Sequence, residues 1–267
     1  WEVSFYETKN GAGSSNIIYD LIKQGNQLYA PAEPGSVHIL NSKTQKWRKV
    51  RISPEFNSPP KYLQFVNDSV AFVGYHFSYG FFKTTDKGLN WNPLPKLEST
   101  VPTDFSIINF AARNEQELYM VGTVKDSLYF YRTTNSGQTW SRFQSELFEE
   151  SDLIQQGYYN LTYNEQYFYV ENRYKQTKDG KTYIMRSSDF ITWEPVFISD
   201  FVEFGKFIHG IKFYGTYGFA LGTHVFLYTD DGGDTWYDLY DENDKFYENN
   251  NPINGFLLFE KKIYAAG

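Results

Sequence analysis

The 267 residues suffice for one large domain or two small ones, and 41% of them are hydrophobic, the proportion of an ordinary globular protein. The formal net charge of −7 argues against a nucleic-acid partner, because phosphate binding needs clustered lysine and arginine. The absence of cysteine excludes disulfides, thiol catalysis and cysteine-ligated zinc, and no apolar run reaches the roughly 18 residues of a membrane-spanning helix.

Aromatic residues make up 20% of the chain, with 23 tyrosines and 24 phenylalanines. Because aromatic side chains favour strands, this composition predicts an all-β fold. The chain opens at Trp1 without a methionine, so we expect a processed form whose targeting segment lies outside this sequence. The expected location is extracytoplasmic: secreted, periplasmic or on the cell surface.

The six tryptophans recur at near-even intervals of 43 to 53 residues. They are Trp1, Trp47, Trp91, Trp140, Trp193 and Trp236. Each of the last five is followed, three positions later, by an apolar residue. A repeat of roughly 40–50 residues is typical of a β-propeller blade.

Each repeat has the same internal order of strand-forming runs and turn residues. Before Trp91, for example, the runs YLQFV and SVAFVG flank the short turn Asn67–Asp68, and GFFKTT leads into a glycine-containing turn. Four short runs bounded by Gly, Asn, Asp and Pro predict a four-stranded antiparallel meander. A β-sandwich is the competing fold, but it does not predict the tryptophan period.

We therefore predict an all-β, six-bladed β-propeller with four-stranded antiparallel blades, forming a single domain over residues 1–267. The runs NGFLLF and KKIYAAG would supply two strands of a last blade split between the chain termini, and Trp1 would begin its fourth strand. The expected molecule is a monomer or a subunit of a larger assembly. The blades are expected at approximately residues 6–52, 53–97, 98–146, 147–199 and 200–242, with the split blade at 243–267 plus 1–5.

The turn before three of the tryptophans follows the pattern Ser/Thr–x–Asp/Asn–x–Gly–x–x–Trp. The matching residues are Thr84, Asp86, Gly88 and Trp91; Thr133, Asn135, Gly137 and Trp140; and Thr229, Asp231, Gly233 and Trp236. A shorter copy keeps Ser187, Asp189 and Trp193 but lacks the glycine. This pattern resembles the Asp-box (BNR) repeat of sialidase-like propellers, which also occurs in sortilin-type receptors, certain xyloglucan hydrolases and the photosystem II assembly-factor family.

We expect these motif residues to be structural. The Asp or Asn side-chain oxygen can accept backbone N–H groups inside the turn, and Gly tolerates a positive φ where the hairpin reverses. The tryptophan ring is expected to pack against the neighbouring repeat while its indole N–H bonds a carbonyl. The motif therefore predicts how each hairpin folds and does not predict an active site.

Turns of an antiparallel meander alternate between the two faces of the disc. The turns before the fourth strands share a face with those joining strands one and two, which we call the turn face. The longer connections lie on the opposite face, here called the loop face, and such loops are the usual place for binding. The predicted binding residues at these loops are Tyr75, His76, Phe77, Tyr79, Glu171, Arg173, Tyr174 and His224.

Aromatic rings beside a few charged groups suit stacking on a sugar or gripping a peptide. The alternative is that these aromatic residues plug the central funnel and the acids are simply solvated. Two histidines, His76 and His224, without a third ligand do not predict a metal site, and no cofactor is expected. Further candidate carboxylates are Glu7, Asp126, Glu149, Glu150, Asp200 and Glu203.

The resemblance raises the possibility of a sialidase, a class in which three arginines hold the substrate carboxylate. The chain has seven arginines, and Arg132 and Arg186 directly precede the motif turns, which predicts positions on third strands away from the funnel. We therefore predict a non-catalytic binding or scaffold propeller whose loop face recognises a protein or glycan. The alternative is a glycoside hydrolase other than a sialidase, using two loop carboxylates in the central funnel.

Overall fold

The computed structural model shows that the regular elements in the part of the chain it describes are β-strands. This confirms the all-β prediction. Within the described residues no helix has the length and apolar character needed to cross a membrane. The described residues are 20–32, 35–41, 43–55, 60–75, 80–95, 105–124, 127–146, 161–171, 181–200, 207–223, 225–239, 255–259 and 262–266.

The strands form successive four-stranded antiparallel sheets in which order in space follows order in the chain. The first sheet comprises β1 (Ile22–Gln24), β2 (Gln27–Ala32), β3 (Ser36–Asn41) and β4 (Lys46–Arg51). The second comprises β5 (Pro60–Phe65), β6 (Ala71–Tyr75), β7 (Phe81–Thr84) and β8 (Asn92–Pro93). The third comprises β9 (Ser106–Ala112), β10 (Leu118–Val124), β11 (Ser127–Thr133) and β12 (Ser141–Phe143).

The remaining strands repeat this meander twice and end in a hairpin. The fourth sheet comprises β13 (Leu161–Tyr163), β14 (Phe168–Glu171), β15 (Thr182–Ser187) and β16 (Glu194–Ser199). The fifth comprises β17 (Phe207–Tyr214), β18 (Tyr217–Thr223), β19 (Val225–Thr229) and β20 (Tyr237–Asp238). A two-stranded sheet of β21 (Gly255–Phe259) and β22 (Lys262–Ala266) follows.

The described residues form five four-stranded blades, so the prediction of six is wrong. Among the described residues, the C-terminal runs expected in a split sixth blade pair with each other, as β21 and β22. Five tryptophans lie at or directly before a fourth strand, whereas Trp1 lies outside the described residues. The sequence-based count treated Trp1 as the mark of a further blade.

The first strand of each blade lies innermost in the disc. Contacts link β1 to β5, β5 to β9, β9 to β13, β13 to β17, and β17 to the hairpin strand β21. The short fourth strands β8 and β20 are exposed along their whole length. Lys212 of β17 also contacts the residues directly before β1, where its ammonium meets the Asp20 carboxylate and the Leu21 carbonyl.

Apolar cores lie between successive blades, because a blade cannot bury both of its faces alone. Tyr29 and Ile39 of the first blade share a core with Val73 and Phe82 of the second. Polar contacts reinforce this packing at the next junction. There the side-chain amide of Gln64 donates to the carbonyl of Ala112 at 3.0 Å and accepts from its N–H at 2.8 Å.

The motif tryptophans pack against the preceding blade, as expected. Trp140 meets Phe81 of the second blade edge to face at 5.9 Å between ring centroids. The indole N–H of Trp91 donates to the Gly88 carbonyl at 3.1 Å, whereas that of Trp236 is buried with no hydrogen-bond partner among the described residues. The expected indole–carbonyl bond is therefore confirmed at Trp91 and is not found at Trp236 in this part of the chain.

This difference predicts unequal costs for the same substitution. Trp91 and Trp236 are each 8% exposed, so replacement by phenylalanine removes similar packing at both. We expect Trp91→Phe to lower the free energy of unfolding by about 1 kcal/mol more than Trp236→Phe, because only Trp91 loses a hydrogen bond. Urea unfolding of both variants measures the difference, and equal losses would contradict it.

Candidate functional site

Four turns precede the fourth strands of blades two to five, and we call them the box turns (residues 84–91, 133–140, 187–193 and 229–236). In the first of them the hydroxyl of Thr84 donates to the Asp86 carboxylate at 2.8 Å and accepts the N–H of Gly88 at 3.0 Å. The same carboxylate accepts the N–H of Asn90 at 2.9 Å. One hydroxyl and one carboxylate therefore bind backbone N–H groups on both sides of the turn.

The other box turns repeat this pattern. The hydroxyls of Thr133 and Thr229 each accept a glycine N–H at 3.0 Å, from Gly137 and Gly233. In the shorter copy the Ser187 hydroxyl accepts the N–H of Phe190 at 2.8 Å instead. All four hydroxyl residues are buried. Their structural role stays a prediction, which these bonds support.

The box-turn carboxylates are held in the ionised form. Backbone N–H donation from Thr235, with further bonds from the Thr229 hydroxyl, lowers the pKa of Asp231 to about 2. Burial alone would raise the pKa of Asp86 and of Asp189, but hydrogen bonds to their carboxylates outweigh it and lower both values. A carboxylate that stays ionised at neutral pH cannot act as a general acid.

The lowered pKa of Asp231 predicts a pH-dependent contribution to stability. A carboxyl whose pKa is lower in the folded state stabilises the fold above its unfolded-state pKa, and this contribution disappears as pH falls from about 4 to about 2. We expect the stability difference between the parent protein and Asp231→Asn to shrink over that range. Asn135 makes the equivalent bond, accepting the N–H of Thr139 at 2.9 Å, so the asparagine variant keeps the turn.

Denaturant midpoints at a series of pH values check this prediction. Asn135→Asp is the matched control, because it introduces a titrating group into an equivalent turn, and its stability relative to the parent should fall with pH over the same range. Parallel pH curves for the parent and Asp231→Asn would contradict the prediction.

The box turns lie beside the turns that join strands one and two. The N–H of Lys87 donates to the Ser69 carbonyl at 3.0 Å, Ser136 to Gln116 at 3.0 Å, and Gly232 to Thr216 at 2.8 Å. These repeated bonds confirm that both sets of turns share the turn face. The connections from strand two to strand three consequently leave from the opposite side.

The structure describes two of the predicted binding residues, Tyr75 and Glu171. Tyr75 ends β6 in the second blade, and Glu171 ends β14 in the fourth, so the third blade separates them. They are 0% and 1% exposed, respectively. The others, His76, Phe77, Tyr79, Arg173, Tyr174 and His224, lie outside the described residues.

Tyr75 packs between the first two blades. Its ring meets Phe82 at 5.8 Å, and its hydroxyl donates to the Gly35 carbonyl of the first blade at 3.4 Å. Burial raises its pKa, so the phenol remains protonated. These contacts fix the strand end from which His76 and Phe77 continue, and a direct role of Tyr75 in ligand binding stays a prediction.

Two arginines are committed to structural contacts. Arg132 and Arg186 lie on the third strands β11 and β15, as expected. Arg132 pairs with Glu117 at 2.6 Å, and Arg186 pairs with Glu194 at 2.7 Å and with Asp234 of the next blade. Both guanidinium groups are therefore occupied by carboxylates of the propeller itself. No group of three or more His, Cys, Asp or Glu side chains that could hold a metal ion occurs among the described residues.

A cavity of about 380 Å³ opens on the turn face between the first and second blades. Sequence reasoning missed it, because its residues come from short polar turns that were all interpreted as structural. The available signal was the presence of two lysines in turns predicted to share one face. The lining includes Gln24, Gln27, Asn41, Lys43, Asp68 and Lys87.

No family model and no curated protein matches this sequence. Among solved structures, YCF48 bound to D1 peptide is similar, with a TM-score of 0.56 and 13% identity over 94% of this chain and 75% of that one. YCF48 from Cyanidioschyzon merolae gives a TM-score of 0.55 and 13% identity over 92% of this chain and 78% of that one. The chain is a β-propeller.

A GH74 enzyme is also similar to the propeller. The structure described as an ancestral GH74 enzyme gives a TM-score of 0.60 at 13% identity, over 92% of this chain but 39% of that one. Likeness at this level of identity shows the fold alone. Since a peptide-bound protein and enzymes both appear among the similar structures, the function must be argued from this propeller's own residues.

Proposed function

We propose that this propeller is a non-catalytic binding or scaffold protein that recognises a protein or glycan through its loop face. The observation that carries the proposal is its similarity over 94% of the chain to a propeller solved with a D1 peptide bound. A fold of this kind can therefore present a peptide-binding surface. We further propose that the box turns are Asp-box repeats, and their common pattern of hydrogen bonds supports this.

The strand ends beneath the loop face support the proposal. The predicted residues His76, Phe77 and Tyr79 continue directly from Tyr75, and Arg173 and Tyr174 follow closely on Glu171. Because Tyr75 and Glu171 are both buried, the loops start from fixed points. A binding group that starts from a rigid strand end loses less conformational entropy when it meets its ligand.

The second candidate is a glycoside hydrolase, favoured by the similarity to GH74 enzymes. Such an enzyme needs a carboxyl pair in which one member has a raised pKa and remains protonated. The pKa values of the box-turn carboxyls Asp86, Asp189 and Asp231 are lowered, which does not suit the acid of such a pair. The loop carboxylates Glu203 and Asp126 are candidates for the pair.

The test is a screen of the purified chain against peptide and glycan arrays, followed by a hydrolysis assay on each ligand that binds. We expect a retained ligand without turnover. The variant Tyr174→Ala should weaken its binding at least about tenfold, the scale of one well-buried aromatic contact. Tyr237→Ala is the matched control, since Tyr237 is an exposed tyrosine on the outer strand β20, and it should leave affinity unchanged.

Two outcomes would overturn the proposal. Hydrolysis that is abolished by Glu203→Gln or by Asp126→Asn would establish the enzymatic alternative. Equal loss of affinity in the Tyr174 and Tyr237 variants would show that the loop face is not the binding surface. The proposed location is extracytoplasmic, which a fractionation of the native cell tests directly.

A further inference from the structure

The cavity on the turn face is a second candidate ligand site, on the other side of the disc from the loop face. One wall joins the first two blades, because the side-chain amide of Gln24 donates to the Asp68 carboxylate at 2.8 Å. This bond uses the amide nitrogen of Gln24 and leaves its oxygen as an acceptor. The wall therefore offers acceptor atoms in a fixed position.

Tyr29, which is almost fully buried, supports two residues of the cavity lining, Gln27 and Lys87. Burial raises the pKa of Tyr29 to about 12, so its hydroxyl keeps its proton. This hydroxyl lies 2.6 Å from the side-chain oxygen of Gln27 and 3.0 Å from the Lys87 carbonyl. Because the side-chain oxygen of Gln27 accepts the Tyr29 hydroxyl, the side-chain nitrogen of Gln27 is left as a donor.

The third side of the cavity supplies another donor. The side-chain oxygen of Asn41 accepts the N–H groups of Lys43 and Thr44 at 2.9 and 3.2 Å. These bonds fix the orientation of the Asn41 amide and leave its nitrogen available. The lining thus combines oriented amide donors with the acceptors of the Gln24–Asp68 pair.

Two lysines give the cavity a local positive charge. Lys43 and Lys87 both line it and are exposed, and neither ammonium group forms an ion pair with another described residue. Asp68 is the one carboxylate among the lining residues, so cations outnumber anions here in a chain of net charge −7. The local charge therefore favours an anionic ligand at this place.

The turn itself does not require a lysine at position 87. The equivalent position holds Ser136 in the third blade and Gly232 in the fifth, and all three residues have a positive φ, of 62°, 58° and 79°. At the junction of blades four and five, the Gly232 carbonyl accepts both the Tyr169 hydroxyl and the side-chain amide of Asn164, the latter at 3.0 Å. The corresponding carbonyl of Lys87 receives the Tyr29 hydroxyl, while the lysine side chain lines the cavity.

We propose that this cavity binds a sugar acid, that is, a ring rich in hydroxyl groups that carries one carboxylate. Its volume lies within the range of about 300–1,000 Å³ typical of small-molecule sites. The two ammonium groups suit the carboxylate, and the amides of Gln24, Gln27 and Asn41 suit hydroxyl groups, which both donate and accept. The site is independent of the ligand proposed for the loop face.

Calorimetric titration of the full chain with a glucuronic-acid disaccharide tests this proposal. The matched neutral ligand is the same disaccharide with its carboxylate reduced to an alcohol. We expect saturable binding of the acid, at least tenfold tighter than binding of the neutral sugar, and weaker at high salt because the lysines are exposed. The double variant Lys43→Gln/Lys87→Gln should reduce the affinity for the acid about tenfold, consistent with the loss of two solvent-exposed charge contacts.

Lys46→Gln is the control. Lys46 is an exposed lysine directly after the turn that contains Lys43, and it does not line the cavity. It should leave the affinity unchanged, and thermal unfolding should show that all variants are folded. Absence of saturable binding at 10 mM acid, or equal weakening by Lys46→Gln, would overturn the proposal. Tighter binding of a peptide with a free C-terminal carboxylate at the same lysines would show that the ligand class is wrong.

Discussion

Phe190→Ala is expected to lower the free energy of unfolding by about 3–5 kcal/mol, the range for truncating a buried phenylalanine. Phe190 is 1% exposed in the shorter box turn. Its ring stacks on Tyr119 of the third blade with 4.8 Å between centroids and meets Phe168 and Trp193 of its own blade edge to face at 5.1 and 5.3 Å. Truncation would leave a cavity at the junction of two blades.

The neighbouring residue provides the control. Ile191 is 45% exposed, so Ile191→Ala should change stability by no more than about 0.5 kcal/mol. Phe190 also has a φ of +65°, and Phe190→Gly should therefore cost about 1 kcal/mol less than Phe190→Ala, because glycine adopts this conformation without strain. Urea unfolding of the three variants gives these values. A loss below about 1 kcal/mol for Phe190→Ala would contradict the prediction.

The same turn shows what local sequence could and could not reveal. The motif SSDFITW identified a box turn, and the Ser187 hydroxyl donates to the Asp189 carboxylate as Thr84 does to Asp86. The motif did not predict that a phenylalanine would adopt the left-handed conformation of the missing glycine. A bulky residue at positive φ is rare, and here the cost is offset by the burial of its ring.

The predicted number of blades was wrong for a related reason. The spacing of tryptophans and turn residues is a local signal, and it located the fourth strands of all five described blades correctly. Closure of the disc depends on which sheet edges meet, and that is decided by packing between distant parts of the chain. Neither Trp1 nor the runs that became β21 and β22 carried information about how many strands would assemble around them.

The two candidate ligand sites differ in how well the sequence predicts them. Loop length alone pointed to the loop face, since long connections on a rigid scaffold commonly bind. The cavity on the turn face joins residues from four turns, with Gln24 and Lys87 on different blades. Each of these turns is ordinary by itself. Only the register of one blade against the next brings the two lysines and the three amides together.

Gly233→Ala is expected to lower the free energy of unfolding by about 2–4 kcal/mol, through left-handed strain and overpacking together. Gly233 has a φ of +97°, and an added Cβ would lie 2.7 Å from the Tyr169 hydroxyl oxygen and 2.9 Å from its ring. Tyr169 is fully buried, packs on Phe213 at 4.5 Å, and donates to the Gly232 carbonyl. Because its ring is held on both sides, it cannot move away from the methyl group.

Two further glycines separate the contributions of strain and contact. Gly215 has a φ of +64° in the same blade with nothing within 4 Å of the added Cβ, so Gly215→Ala should cost only the strain, about 1 kcal/mol. At Gly137 the closest atom is the flexible end of Leu94, at 2.6 Å, so Gly137→Ala should fall between the other two. Equal losses at Gly215 and Gly233 would contradict this order.

A double variant tests the identity of the obstructing atom. Tyr169→Phe removes the hydroxyl nearest the new methyl group, together with one hydrogen bond. Combined with Gly233→Ala, it should cost less than the sum of the two single changes, with a coupling of about 1 kcal/mol in a double-mutant cycle. Additive losses would mean that the new methyl group does not clash with the Tyr169 hydroxyl. Removing that hydroxyl can relieve a clash only if the hydroxyl causes it.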